Sequence, residues 1–369
     1  MSAKEISLST SYPSIRIFKS PIASLDFEQI ANETIYGTPG RMRYEHTKST
    51  EKIKSIKNTS FLEFKRNNTT LGIIALVRHQ LNIGDQPVSG LYVRYFSFNA
   101  PMRSEGEKTQ KNRKKPRVIH QAIKELFDHP ETLVLKPLSD KTIIYAFVES
   151  TNEHSLNMVK AMDFLPSRKL VTLLFSRFYP KKKLNIIRLP EERNTEMNSL
   201  LKSFYKNYNL VHNFNESWDN YFIHEVNGKI IFGAKLEVNS WKIHEMPGLD
   251  GWLFRKVLPR LPILNRIFQK GKIDFIGVER LYVNPSHEHL LPNFLETLCS
   301  QYEVTKAMMG VDNQSPIHSL LKTQGKLGLL DRLITPSPGI LFKRTFGLTK
   351  QEELSLDVKP FYVSTYDMS

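Results

Sequence analysis

The sequence predicts an α/β protein made of two similar units in tandem, each a mixed twisted sheet flanked by helices. Three observations carry this. A chain of 369 residues exceeds one ordinary hydrophobic core and falls short of three, so two units of roughly 150–200 residues are expected. Alternating apolar runs typical of strands are interleaved with helical patterns along the whole chain. Three local matches then recur in the same order at offsets of roughly 160–185 residues. FLEFKRNNTTLGIIAL matches YFIHEVNGKIIFGAKL, placing Gly72 beside Gly233; YFSFNAP matches RLYVNPS around Asn99 and Asn284; AFVESTNEHSL matches MGVDNQSPIHSL, pairing Val148 with Val311. The division falls at Tyr179–Lys183, where Pro180 precedes three lysines, giving units 1–180 and 184–345 and a tail 346–369, loosely held from Lys350.

In chain order, strands are expected at Ser14–Phe18, Ser60–Lys65 and Leu71–His79, the last two joined by the turn Arg66-Asn67-Asn68-Thr69. Leu91–Phe98 follows, then a highly charged connection and a helix near Arg117–Phe127. Thr142–Val148 is apolar on both faces, as an interior strand should be. A helix at Asn152–Met162 and a strand at Lys169–Arg177 complete the first unit. The second repeats it: strand Leu184–Leu189, helix Glu191–Tyr205, and a hairpin of Tyr221–Val226 with Ile230–Val238 about Asn227-Gly228. After an insertion come strand Asp274–Val283, helix His287–Tyr302, strand Thr305–Val311, helix Ser315–Thr323 and a last strand at Ile340–Arg344.

Composition narrows the function classes. The lone Cys299 excludes an intramolecular disulfide, and without a Cys/His cluster there is no zinc finger and no thiol relay. The N-terminal stretch lacks a signal-type apolar core, and no long uncharged apolar run occurs, so a cytoplasmic protein, in contact with a membrane at most peripherally, is expected. A formal charge of +15 favours an anionic partner: a phosphorylated ligand, a lipid surface, or, less favoured, nucleic acid.

The segment NEHSLNMVKAMDF, Asn152 to Phe164, resembles the GNAT (GCN5-related N-acetyltransferase) superfamily of acyl-CoA-dependent N-acyltransferases, present here as two degenerate copies. In that family's pattern Asn opens the helix after the fifth strand, a small residue follows three positions later, Tyr at seven and Gly-Phe at eleven and twelve. Asn152, Ser155 and Phe164 fit; Val159 stands in the Tyr place and Asp163 in the Gly place. The resemblance implies that the fourth and fifth strands splay apart and that the pantetheine of acetyl-CoA or another acyl-CoA lies between them. Those strands are Leu91–Phe98 with Thr142–Val148, and Asp274–Val283 with Thr305–Val311. It also implies a pyrophosphate cradle after the fourth strand, where backbone N–H groups and a helix terminus hold the phosphates. Arg103 and Gly106 match that cradle and Lys108 departs from it; the second copy, from Asn284 to His289, has no glycine there. Between Lys108 and Arg117 six basic residues and no acidic one occur, so side-chain charge is an alternative phosphate holder and a solvated loop the plainer reading.

Acyl transfer to an amine needs a base for the ammonium proton and a donor for the leaving thiolate. Glu279, in VERLYV on the second copy's fourth strand, is the candidate base, with Glu149 a lesser one. Both family tyrosine positions are lost, to Val159 and Leu320, leaving Tyr145 and Tyr282 as neighbouring phenols, although a Tyr in an apolar strand reads more readily as core. His287-Glu288-His289 has the wrong spacing for a metal pair on a helix, and Cys299 reads as a buried apolar residue. The insertion Gly251–Lys272 alternates apolar and basic residues around Pro259 and Pro262, and reads either as a cover over the second unit or as a contact for an anionic membrane surface. The favoured function is acyl transfer from an acyl-CoA to an amine-bearing small molecule or peptide, one copy being active and the other structural. The alternatives are a non-catalytic GNAT-like binding protein and a Fem-type aminoacyl transferase using aminoacyl-tRNA. The sequence leaves the oligomeric state open.

Overall fold

A computed structural model describes residues 4–6, 15–83, 86–99, 102, 118–214, 217–246, 271–333 and 337–365. Its strands are β1 (Lys4–Ile6), β2 (Arg16–Ser20), β3 (Arg43–His46), β4 (Thr59–Arg66), β5 (Thr69–Ile83), β6 (Gln86–Phe98), β7 (Thr142–Glu149), β8 (Leu165–Ser176), β9 (Ile187–Arg188), β10 (Val211–His212), β11 (Tyr221–Val226), β12 (Lys229–Glu245), β13 (Lys272–Val283), β14 (Lys306–Asp312) and β15 (Gly339–Phe346). The helices that matter below are α1 (Leu25–Asn32), α2 (Ser49–Ser55), α3 (Val118–Asp128), α4 (Glu153–Ala161), α5 (Asn194–Phe204), α6 (Leu291–Gln301), α7 (Pro316–Gln324) and α8 (Lys350–Val358).

Local chemistry explains most of these elements. Asn227 and Gly228 both take positive φ, 50° and 75°, the turn that Asn-Gly favours because its twist matches the flanking strands; β11 and β12 pair antiparallel across it. Ser24 caps α1 by accepting from the Phe27 amide at 3.1 Å, and Asn152 caps α4 by accepting from the Ser155 amide at 3.0 Å, each satisfying an N-terminal amide that lacks an intrahelical partner. In the first half α3 and α4 cover one face of the sheet through Ile123, Phe127 and Val159 against Leu76, Leu91 and Ile144. The other face is covered by α1 and α2, whose Phe27, Ile30 and Ile53 cluster with Ile73, Ala75 and Tyr95. In the second half α5 and α6 bury Met197, Leu201, Phe294 and Leu298.

All the described strands belong to one mixed sheet. Its order is β1-β2-β4-β5-β6-β7-β15-β8-β14-β13-β12-β11-β9, with β10 on β5 and β3 on β12. The expected parallel pairs of fourth and fifth strands are present twice, as β6 with β7 and β13 with β14. The centre differs from two self-contained sheets. Strand β15, from the second half of the chain, pairs with β7 of the first half over Gly339↔Glu149 to Phe346↔Thr142. Strand β8, from the first half, pairs with β14 of the second half over Lys306↔Ser176 to Asp312↔Leu170, and β8 and β15 also pair with each other. Each half of the chain is therefore completed by a strand of the other, because β7 and β14 would otherwise present unpaired edges.

From Lys350 to Thr365 the tail is also not loosely held. Thr349 and Glu352 form a reciprocal capping box at the start of α8, and Leu356, Phe361, Tyr362, Val363, Ser364 and Thr365 are buried. The apolar run Phe361–Val363 is the reason, since exposing it would forfeit several kcal/mol of burial, at about 1.5–3 kcal/mol per large side chain.

Candidate active site

The ladder between β6 and β7 runs from Ser89↔Thr142 to Tyr92↔Tyr145 and ends there. The ladder between β13 and β14 holds only Ile276↔Ala307 and Gly277↔Met308. Beyond these points the paired strands diverge into two wedges. Each wedge carries a β-bulge on its earlier strand. Tyr95 has φ 52°, where the register of β6 on β5 shifts, and Arg280 has φ 48°, where that of β13 on β12 shifts. A bulge withdraws backbone groups from the ladder and re-aims them, so each wedge holds main-chain donors and acceptors that need partners from elsewhere.

In the second wedge the C-terminal segment supplies them. The Thr365 hydroxyl donates to the Val278 carbonyl at 2.9 Å and accepts from the Gly310 amide at 3.1 Å, so one side chain ties both diverging edges. The Phe361 amide donates to Asp312 at 3.0 Å. A cavity of about 30 Å³ remains, lined by Tyr205, Tyr208, Glu279, Asp312 and Ile317 among others, room for roughly one or two waters and far too little for a pantetheine arm.

Between the two bulges lies a buried charged centre. Helix α2 brings Ile53 into the apolar cluster of Tyr95, and its neighbour Lys52 reaches across to β12, with Nζ 3.8 Å from Glu237 Oε1. Burial, reinforced by Arg94, drives the Lys52 ammonium down to about 8, although Glu237 and Glu279 pull the other way. Burial likewise raises the Glu237 carboxyl, with Lys52 opposing, and lowers Lys235, which stands opposite Glu279 in the β12–β13 register. Titratable groups perturbed by burial and by specific charge partners, gathered in this way, make the centre a candidate functional site.

A second buried group adjoins it. His79 on β5 stacks on His212 of β10, centroids 4.2 Å apart at 20°, and His212 Nε2 lies 3.5 Å from the Tyr145 hydroxyl at the apex of the first wedge. Burial pushes His79 down to about 4, with Arg280 and Arg94 adding to it; burial and then His79 hold His212 well below its usual range. Both imidazoles are therefore neutral in the folded state and protonate near 6.5 once unfolded. Stability is expected to fall as pH drops below about 6.5, the His79 share levelling off near 4 and amounting to about 3 kcal/mol. Urea midpoints of His79→Phe should lose that part of the slope between pH 7 and 4; equal slopes in both proteins would remove His79 from the account.

The residues singled out in the sequence are placed as follows. Glu279 is buried in the charged centre, its carboxylate accepting from the Ser364 hydroxyl. Asn152 caps α4 just beyond the end of β7. Glu149, at the end of β7, accepts from Thr38 at 3.1 Å and Thr151 at 3.0 Å. Tyr145 belongs to the core with its hydroxyl toward His212, and burial pushes the Cys299 thiol up to about 12. Arg103, Gly106 and Lys108 lie outside the described residues, as do 247–270, nearly all of the Gly251–Lys272 insertion. Sequence reading missed Lys52, Arg94, Lys235, Glu237 and the histidine pair. A signal was available on β12, where Lys235 and Glu237 share a face with Gly233 and Trp241 while Leu236 occupies the other.

Against solved structures the chain aligns with Saccharomyces cerevisiae N-myristoyltransferase with bound myristoyl-CoA at TM-score 0.56 and 11% identity, over 98% of this chain and 90% of that one. The fold is the GNAT fold. A second structure of the yeast enzyme, with myristoyl-CoA and inhibitors, gives 0.54 and 11% over 97% and 87%. A GCN5-related N-acetyltransferase from Anabaena variabilis gives 0.46 and 10% over 89% and 72%. No sequence family and no curated protein matches the chain, so the GNAT likeness rests on architecture. Among the described residues no helix is long and apolar enough to cross a membrane.

Proposed function

We propose that this protein transfers an acyl group from an acyl-CoA to an amine, with the donor in the first wedge and the acceptor at the charged centre. The observation that carries the reading is that the second of the two wedges is filled by the chain's own C-terminal segment. The second is stitched by Thr365, which leaves the β6–β7 wedge, with its bulge at Tyr95, as the place for a pantetheine arm. There an added ligand can bond the diverging strand edges, and main-chain amides freed by the bulge can hold the thioester oxygen as negative charge develops on it. Arg103, Gly106 and Lys108, which follow β6 in sequence, are assigned to the CoA phosphates, with Asn152 ordering the neighbouring turn of α4. The acceptor's ammonium proton is lost within the charged centre, to which Glu279 contributes one of two carboxylates. The solved neighbour that holds myristoyl-CoA makes long acyl chains the first donors to try.

Calorimetric titration with acetyl-CoA and myristoyl-CoA tests this. Binding is expected for at least one donor, and Arg103→Ala with Lys108→Ala should weaken it by about tenfold or more, since hydrogen bonds to charged groups are worth about 1.5–3 kcal/mol, with the larger effect at low salt. Unchanged affinity in the double variant would exclude these side chains as the phosphate holder. Absence of binding by the unaltered protein would favour the non-catalytic reading.

A further inference from the structure

We propose that the Lys52–Glu237 pair is the proton-handling group of the transfer, neutral Lys52 Nζ taking the proton from the acceptor's ammonium; this rests on the acyltransferase reading above. Three observations single the pair out. It bridges the two halves of the chain, Lys52 coming from α2 and Glu237 from β12. It adjoins the bulge of the first wedge, because Ile53, its neighbour on α2, lies in the same buried cluster as Tyr95. Glu279, by contrast, lies among the residues that line the filled second wedge and already accepts from Ser364.

The groups facing Lys52 are Glu237 from β12, Glu279 from β13, Arg94 from β6 and His46 from β3. Burial and Arg94 favour the neutral amine, while the two carboxylates keep it basic, and the balance leaves Lys52 near 8. A base poised close to the working pH is both substantially deprotonated and still able to remove a proton from an alkylammonium. In the step, the acceptor ammonium gives one proton to Lys52, and the freed lone pair forms the C–N bond at the thioester carbonyl. The C–S bond breaks with its electron pair going to sulfur, and the second nitrogen proton leaves with the thiolate as thiol. Lys52 then returns its proton to solvent with Glu237 as counter-charge.

Lys52→Arg keeps a cation and removes basicity, and Glu237→Gln removes the counter-charge. The full-length protein carrying 13Cε-labelled lysine is titrated by NMR, and thiol release from bound acyl-CoA is followed with glycinamide as acceptor. Two lysines, Lys52 and the buried Lys306, should titrate near 8; one of the two signals should vanish in Lys52→Arg and the same one move to lower pH in Glu237→Gln. Thiol release should rise with pH through the same range and fall by about 10²–10⁴ in Lys52→Arg, with calorimetric affinity for the acyl-CoA unchanged. A Lys52 titrating at its ordinary value near 10.5, or a Lys52→Arg protein that keeps its rate and pH limb, overturns the assignment while leaving the acyl-CoA reading intact. Failure of the unaltered protein to bind either acyl-CoA overturns both.

Discussion

Asp312→Ala is expected to cost about 3–5 kcal/mol, the range for removing one member of a buried ion pair, out of a typical total of about 5–15 kcal/mol. Asp312 is completely enclosed at the end of β14. Its two oxygens accept from Arg168 Nε at 2.6 Å and Nη2 at 3.0 Å, and also from the amides of Phe361 at 3.0 Å and Gln314 at 2.9 Å. Arg168 comes from β8 and also donates to the Asp357 carbonyl at 3.0 Å. One carboxylate thus locks an exchanged strand to its host and the C-terminal segment to both. Its removal leaves a buried guanidinium uncompensated, and urea denaturation should show the loss as a lower midpoint. The double variant Arg168→Met/Asp312→Leu should recover much of it, because an apolar pair of similar volume avoids the desolvation of two charges. A cost below about 1 kcal/mol would place the lock elsewhere.

Residues 1–180 produced alone should fail to fold, whereas the same fragment produced together with 181–369 should assemble. Without β15 the eight registered positions of β7 from Thr142 to Glu149 lose their partners, and β8 loses β14 as well. The buried Leu341 and Phe342 leave the core with them. Exposed edges of that length template aggregation. Size-exclusion and amide NMR of the fragment decide the matter: a monomer with a dispersed spectrum would show that the exchange is dispensable.

Much of the architecture was legible in the residues because local chemistry determines it. The Asn227-Gly228 turn, the apolar run Thr142–Val148 and the Asn152 cap all announce themselves within a few positions. Helix α2 does not. STEKIKS offers one buried apolar residue, Ile53, and its other informative buried residue is Lys52, which a periodicity argument reads as solvent-facing. Strand β3, RYEH, is half-buried throughout and shows no alternation. The strand exchange is invisible for a different reason: β7, β8 and β15 have the same apolar character whichever edge they join, and the choice depends on partners far away in sequence. Thr365 is harder still, since its role follows from the fold around it and not from its neighbours.

The exchange of β8 and β15 also has a temporal side. During synthesis the first half of the chain has every residue of its own long before its part of the sheet can close, because the strand that must lie against β7 ends at Phe346. At about 5–20 residues per second, the wait after β8 emerges is on the order of 10–30 s. Throughout it β7 and β8 are available to other chains, so maturation depends on long-range contacts made late. Growth temperature and the supply of chaperones should therefore govern the yield of this protein more than the stability of its finished form does.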